Sequence, residues 1–343
     1  MKILILTGID KIEKSDSEFV KRFGTTNYLR ELTIHGLRQL YGYNVVDYPK
    51  SWGSYRKELE KRNFPKEDLW GQGFNYTGIN EDTINIDRTD ILSKIRKRYF
   101  DLIIFSDTFY SIDLLDEAKK FNNKIIILDG EDYSNINKNL LRYGVYFKRE
   151  LIKKEFKNIF PISFSVPKEK ILSKIEKNVK NILSPLLPGL GHTYIYKTEK
   201  DYNNMYQRSI FGITFKKAGW DCFRHYEILM NGCLPLFLDI KECPNLICKT
   251  LPKEKLIKLN SKYLNQIPKD FLFKLRFKKF PKFINSLLGL KKKIINEINS
   301  DDFLVKFPEI LELKDEMLNF TKENLTTENA AKYIISTINN LNK

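Results

Sequence analysis

Residues 101–129 read DLIIFSDTFYSIDLLDEAKKFNNKIIILD. Two continuous apolar runs, 101–106 and 124–129, flank a segment, 113–121, that reads as a helix. An apolar run without polar alternation predicts a strand covered on both faces. Such strands, with helices between them, build a parallel sheet. Outward toward the N-terminus the alternation continues. Residues 2–7 predict a strand. Residues 25–41 predict a helix, with Leu29, Leu32, Leu37 and Leu40 in its apolar stripe, Thr25 or Thr26 as N-cap and Gly42 as its stop. Residues 44–48 predict a further strand and 87–98 a helix. Residues 50–85, with Gly, Pro, Trp and Asn, read as an inserted loop region. Together these form a Rossmann-like unit.

The second half alternates less cleanly. Strands are predicted at 210–215 and 234–239, with a helix at 222–231 that stops at Gly232. Further helices are predicted at 253–259, near 284–298, and from Thr326 or Thr327 onward, with Ala330, Tyr333, Ile334 and Ile338 on one face. The expectation is an α/β chain of two Rossmann-like domains facing a cleft, residues 1–165 and 166–343. The boundary falls in the Pro- and Lys-rich stretch 161–188, and the final helix is a candidate to pack back on the first domain.

Length and composition agree with two packed domains: 343 residues, 42% hydrophobic and 13% aromatic. No apolar run is long enough for a membrane-spanning helix. The N-terminus reads as a first strand rather than a signal peptide. A cytoplasmic protein is therefore expected. Cys222, Cys233, Cys243 and Cys248 lack the C-x-x-C spacing of a zinc site and read as reduced thiols. No metal or other cofactor is expected. The sequons at Asn75, Asn319 and Asn324 matter only in a secretory compartment.

The net charge of +16 attracts anions such as nucleotides, nucleic acid or a membrane surface. A chain rich in Lys, Asn and Ile, as AT-rich coding imposes, carries that charge without any partner. The basic, Phe- and Leu-interleaved stretch 269–293 suits peripheral contact with an anionic membrane; nucleic acid is the weaker expectation. The first strand runs into Thr7-Gly8-Ile9-Asp10, which is no G-x-G-x-x-G fingerprint, and no P-loop occurs.

Chemistry concentrates in 206–244, YQRSIFGITFKKAGWDCFRHYEILMNGCLPLFLDIKECP. Lys216 and Lys217 follow a strand's carboxyl end, where α/β folds bind ligands. The next helix offers its N-terminal amides to anions. Arg224 and Glu227, three apart, share a helical face. Arg grips phosphate, and a carboxylate accepts from two ribose hydroxyls, so the pair suits a nucleoside diphosphate. Asp221 and His225 lie on the same rim. Across the expected cleft, Asp129 is followed by Glu131 and Asp132 at another strand's carboxyl end. One of these acids is expected to serve as general base, with Asp10 as a further candidate. His35 reads as a packed or surface histidine. The segment 70–78, WGQGFNYTG, reads as an acceptor-side wall whose aromatic faces stack on sugars.

The order Ser209-x-Phe211, Arg224, Glu227, then Gly232-Cys233-Leu234-Pro235-Leu236 resembles the donor-binding domain of GT-B-fold glycosyltransferases, the exostosin-like group above all. The segment is also similar to other sugar transferases that carry a KKxGWDxxRHYEI pattern. About 40 residues match closely; elsewhere only the layout agrees. The resemblance implies a GT-B-like fold and transfer of a sugar from a nucleotide-sugar donor to a hydroxyl on a glycan or lipid-linked glycan. It gives Glu227 the donor ribose and Arg224, Lys216 and Lys217 the diphosphate. Many retaining relatives carry a second glutamate seven residues before the ribose glutamate; here Trp220 stands there, which favours inversion. Other readings are a sugar transferase acting on DNA and a non-catalytic nucleotide or nucleic-acid binder of this fold.

Overall fold

The computed structural model describes residues 1–81, 86–109, 112–122, 124–266 and 300–341. Six parallel strands form one sheet: β1 Ile3–Leu6, β2 Val45–Tyr48, β3 Leu102–Phe105, β4 Ile125–Asp129, β5 Val145–Lys148 and β6 Ile159–Pro161, in the order β2-β1-β3-β4-β5-β6. Three more, β7 Asn181–Leu183, β8 Ser209–Thr214 and β9 Leu234–Phe237, form a second parallel sheet in chain order. The fold is thus α/β, as the apolar runs predict. β1, β3 and β4 are buried along their whole length, with Ile3 opposite both Val45 and Leu102. The chain leaves β1 for β2 on one side and reaches β3 on the other. That reversal opens a crevice at the carboxyl ends, where such sheets bind ligands.

The helices are α1 Ile9–Glu13, α2 Glu18–Phe23, α3 Tyr28–Tyr41, α4 Arg56–Arg62, α5 Ile91–Arg96, α6 Leu115–Phe121, α7 Glu199–Gln207, α8 Phe223–Met230, α9 Lys253–Tyr263, α10 Ser300–Lys306, α11 Glu309–Asn324 and α12 Thr327–Leu341. One apolar cluster runs unbroken from Ile5, Ile104 and Leu128, through Phe164 and Val166, to Phe211, Leu236 and Ile334. A second cluster covers the other face of the six-stranded sheet, through Leu4, Ile103 and Ile127.

α12 packs along α3 of the first sheet. Their approach is close: a Cβ on Gly36 would meet the Thr327 carbonyl oxygen at 2.0 Å. His35 Nδ1 lies 2.9 Å from Thr327 Oγ1, and Tyr333 donates to the Pro161 carbonyl at 3.0 Å. His35 is therefore a buried packing residue whose Nε2 pairs with Glu169 at 3.0 Å.

Several elements depart from the expectations. α3 is capped by Asn27, whose side chain accepts from the Arg30 amide at 3.1 Å, not by Thr25 or Thr26. α5 starts at Ile91 rather than 87, because the Asp87 carboxylate closes a turn on the Thr89 amide and Asp90 is left-handed at φ +47°. The described part of the region 50–85 holds α4 and short 3-10 turns. α1, α2, α7, α10 and the short strands β5, β6 and β7 were not foreseen, being too brief for a periodic signal, and neither was the 16-residue α11. The helix expected near 284–298 and the basic stretch 269–293 lie outside the described residues. Among the described residues no helix is long and apolar enough to cross a membrane.

Candidate functional site

A cavity of about 700 Å³ opens where the carboxyl ends of both sheets meet. Gly130, Glu131 and Asp132 follow β4, Arg149 follows β5, Phe164 follows β6, and Lys217 to Phe223 lead from β8 into α8. α2, the first residues of α3, the loop from Trp70, Asp107 and Phe109 after β3, and Tyr194, Tyr196 and Tyr202 also line it.

α8 divides its residues by helical phase. Arg224 and Glu227 face the cavity, while His225 and Tyr226 are fully buried behind them. Arg224 Nη2 donates to the Tyr194 hydroxyl at 2.8 Å, and its buried Nε has no hydrogen-bond partner. Glu227 is 7% exposed. Its Oε1 accepts from Asn75 Nδ2 at 3.0 Å and its Oε2 from the Tyr202 hydroxyl at 2.8 Å. Burial raises its pKa, against those two bonds. Each carboxylate oxygen has two lone-pair sites, so both oxygens can accept once more.

His225 does not reach the cavity. Its Nδ1 meets Thr214 Oγ1 at 2.8 Å, its Nε2 meets the Trp220 carbonyl at 2.8 Å, and its ring stacks on Phe237 at 4.1 Å. Burial lowers its pKa to about 3, so the ring is neutral and carries no charge for a phosphate. Asp221 touches the cavity but is spent on the fold: Oδ2 accepts from the Phe164 amide at 2.9 Å and Oδ1 from the Tyr226 hydroxyl at 2.8 Å. Burial pushes its carboxyl up to about 6.

The amides leading into α8 do not face a free anion site. Those of Trp220 and Asp221 donate to Glu150 Oε2 and Oε1, each at 2.9 Å. Gly219 makes this possible, since a Cβ there would meet Glu150 Oε1 at 2.6 Å. Arg149 balances Glu150 at 2.9 Å and also grips Asp132, the Asp221 carbonyl and the Gly130 carbonyl. Lys217 lines the cavity. Lys216 is exposed outside it, its amide on Asp239 and its ammonium 5.0 Å from the centre of the Trp220 ring.

The acidic trio after β4 also divides. Asp129 is buried, bonded to Lys148 Nζ at 2.7 Å and to the Tyr146 hydroxyl. Asp132 is exposed and tied to Arg149. Glu131 lines the cavity, and burial together with the charges of Asp107 and Asp129 raises its carboxyl to about 7. A carboxylate poised near neutrality in a cavity is suited to general-base work. Asp10 is exposed on α1 and is not among the residues lining the cavity.

The segment 70–78 spans both walls. Gly71, Gln72, Gly73, Asn75 and Gly78 all have positive φ, which the glycines accommodate without strain. Gln72 Nε2 donates to the Tyr196 carbonyl at 3.1 Å, the Asn75 amide donates to Glu199 at 2.9 Å, and the Asn75 side chain holds Glu227. The sequence reading missed Arg149, Glu150, Tyr194, Tyr202 and Asp107. Only Tyr202 left a signal, sharing a four-residue spacing with Tyr206 on α7. Among the described residues, no group of three or more His, Cys, Asp or Glu is placed to hold a metal ion. Comparison with protein-family models, curated proteins and solved structures finds no match.

Proposed function

We propose that this chain is a glycosyltransferase of GT-B type, moving a sugar from a nucleotide-sugar donor to a hydroxyl acceptor. The observation that supports it best is the pairing across one cavity of Arg224 and Glu227 on α8 with Glu131 beyond β4. In this reading residues 166–343 hold the donor, and residues 1–165 supply the acceptor wall and the base.

Glu227 accepts from the donor ribose hydroxyls, pre-positioned by Asn75 and Tyr202. Arg224, oriented by Tyr194, faces the diphosphate together with Lys217. Glu131 takes the proton of the acceptor hydroxyl. The acceptor oxygen bonds to the anomeric carbon from the face opposite the diphosphate. The bond from that carbon to the phosphate oxygen breaks, and its electron pair leaves on the diphosphate. Arg224 and Lys217 stabilise this charge, which grows toward the transition state. The sugar's configuration inverts.

Lys216 and His225 have no part in this scheme, and Asp221 and Asp132 act only by positioning their neighbours. The test is thermal denaturation of the intact protein against a panel of nucleoside diphosphates and nucleotide sugars. A ligand at 100 times its Kd stabilises by about 2.7 kcal/mol. A rise in melting temperature with one nucleotide class is the expected result; no shift with any member would reject the reading.

A further inference from the structure

The cavity mouth carries an aromatic cluster that donor chemistry leaves unused. Phe19 and Phe23 of α2 lie with ring centres 5.1 Å apart, Phe23 and Trp70 at 4.8 Å, and Phe19 and Trp70 at 6.0 Å. Phe19 is 61% exposed, Trp70 43%, and Phe109 on the same cavity 59%. Large apolar side chains left in water together, beside a cavity, mark a ligand surface.

We propose that Phe19, Phe23 and Trp70 form a stacking platform for an outer ring of an oligosaccharide acceptor. The inference rests on the transferase reading above. A pyranose has one face of C–H bonds and a rim of hydroxyls. The C–H face suits the electron-rich face of an aromatic ring, and the hydroxyls suit polar side chains that line the same cavity, Gln72 and Asp107 among them. An acyl chain would bring no hydroxyl to these polar groups and would take water from them. A nucleic-acid strand would bring phosphates toward the acids Asp107 and Glu131, where like charges repel. The open, half-wetted platform also fits an occupant with only one apolar face.

The platform and Glu131 are not adjacent. Asn27 lies against Gly130 and Tyr28 against Gly71, so the first turn of α3 stands between them. An acceptor reaching both therefore spans more than one ring.

The experiment uses the full chain, Trp70→Ala and Phe19→Ala on an array of defined glycans, followed by calorimetric titration of the best-bound oligosaccharide and of its terminal monosaccharide. The expected result is tighter binding of the oligosaccharide and a loss of about tenfold in each variant. Both side chains are exposed, so melting temperatures should match wild type. Nucleoside diphosphate binding should also be unchanged. Equal oligosaccharide affinity in wild type and both variants would overturn the platform, as would the absence of any glycan bound by wild type. If glycans bind and the variants lose them while no nucleotide binds, the platform stands and the transferase reading fails.

Discussion

Residues 129–132 and 221–227 face each other across the cavity, and each mixes residues that hold the fold with residues that face the cavity. The two segments sort them by different rules. On α8 the helical period decides: Arg224 and Glu227 share the open face, while His225 points back into the protein. Beyond β4 no period operates. Asp129 and Asp132 are claimed by Tyr146, Lys148 and Arg149, which arrive from the neighbouring strand β5 and the residue after it. Glu131, between those two acids, lines the cavity. A role set by helical phase can be read locally, whereas one set by a neighbouring strand cannot.

The largest break in this comparison is expected at Glu131. Glu131→Gln should lower transfer by roughly 10²–10⁴-fold while donor affinity holds. The base form of a carboxyl raised to about 7 accumulates only as pH rises through that value. Wild-type rate should therefore climb through about pH 7, and the residual rate of the variant should lose that limb. The stability effect has the opposite sense. A raised carboxyl favours the folded state below its ordinary value near 4.5, and that stability is lost as pH rises through about 7. Denaturation of the variant should lack this slope.

Next in size is the buried pair behind it. Lys148→Ala should leave the Asp129 carboxylate buried without its cation, at a cost of about 3–5 kcal/mol in urea unfolding. A loss below about 1 kcal/mol would mean that Asp129 is available to the cavity after all.

On α8 the contrast sharpens between neighbours. Glu227→Ala should weaken nucleotide binding by about 1.5–3 kcal/mol, since ribose hydroxyls lose a charged acceptor. His225→Ala should leave nucleotide affinity alone and lower stability by about 1–3 kcal/mol, as Thr214 and the Trp220 carbonyl lose their buried partner. Titration calorimetry beside chemical denaturation separates the two. The smallest effect is expected at Lys216. Lys216→Gln should change nucleotide affinity by less than about 0.5 kcal/mol, because its side chain is exposed outside the cavity.

The parallel sheets were legible because buried strands print continuous apolar runs, as in 101–106 and 124–129. Short strands such as Ile159–Pro161 carry too few residues to do so. Arg224 and Glu227 were legible from their spacing. The filling of the amides before α8 by Glu150 was not, since 70 residues separate it from Trp220. Nor was the capture of Glu227 by Asn75, 152 residues away. Such pairings exist only once the two sheets have packed together. α2 was missed because a six-residue helix shows no usable period, and with it went Phe19 and Phe23.

The most direct measurement is release of nucleoside diphosphate by wild type and Glu131→Gln, incubated with a panel of nucleotide sugars and an acceptor glycan library. The account predicts that wild type releases diphosphate from at least one donor in an acceptor-dependent way. Glu131→Gln should bind the same donor and release almost none. Saturable donor binding with no release by wild type would contradict catalysis and leave a binding protein. Equal release by both proteins would contradict Glu131 as the base.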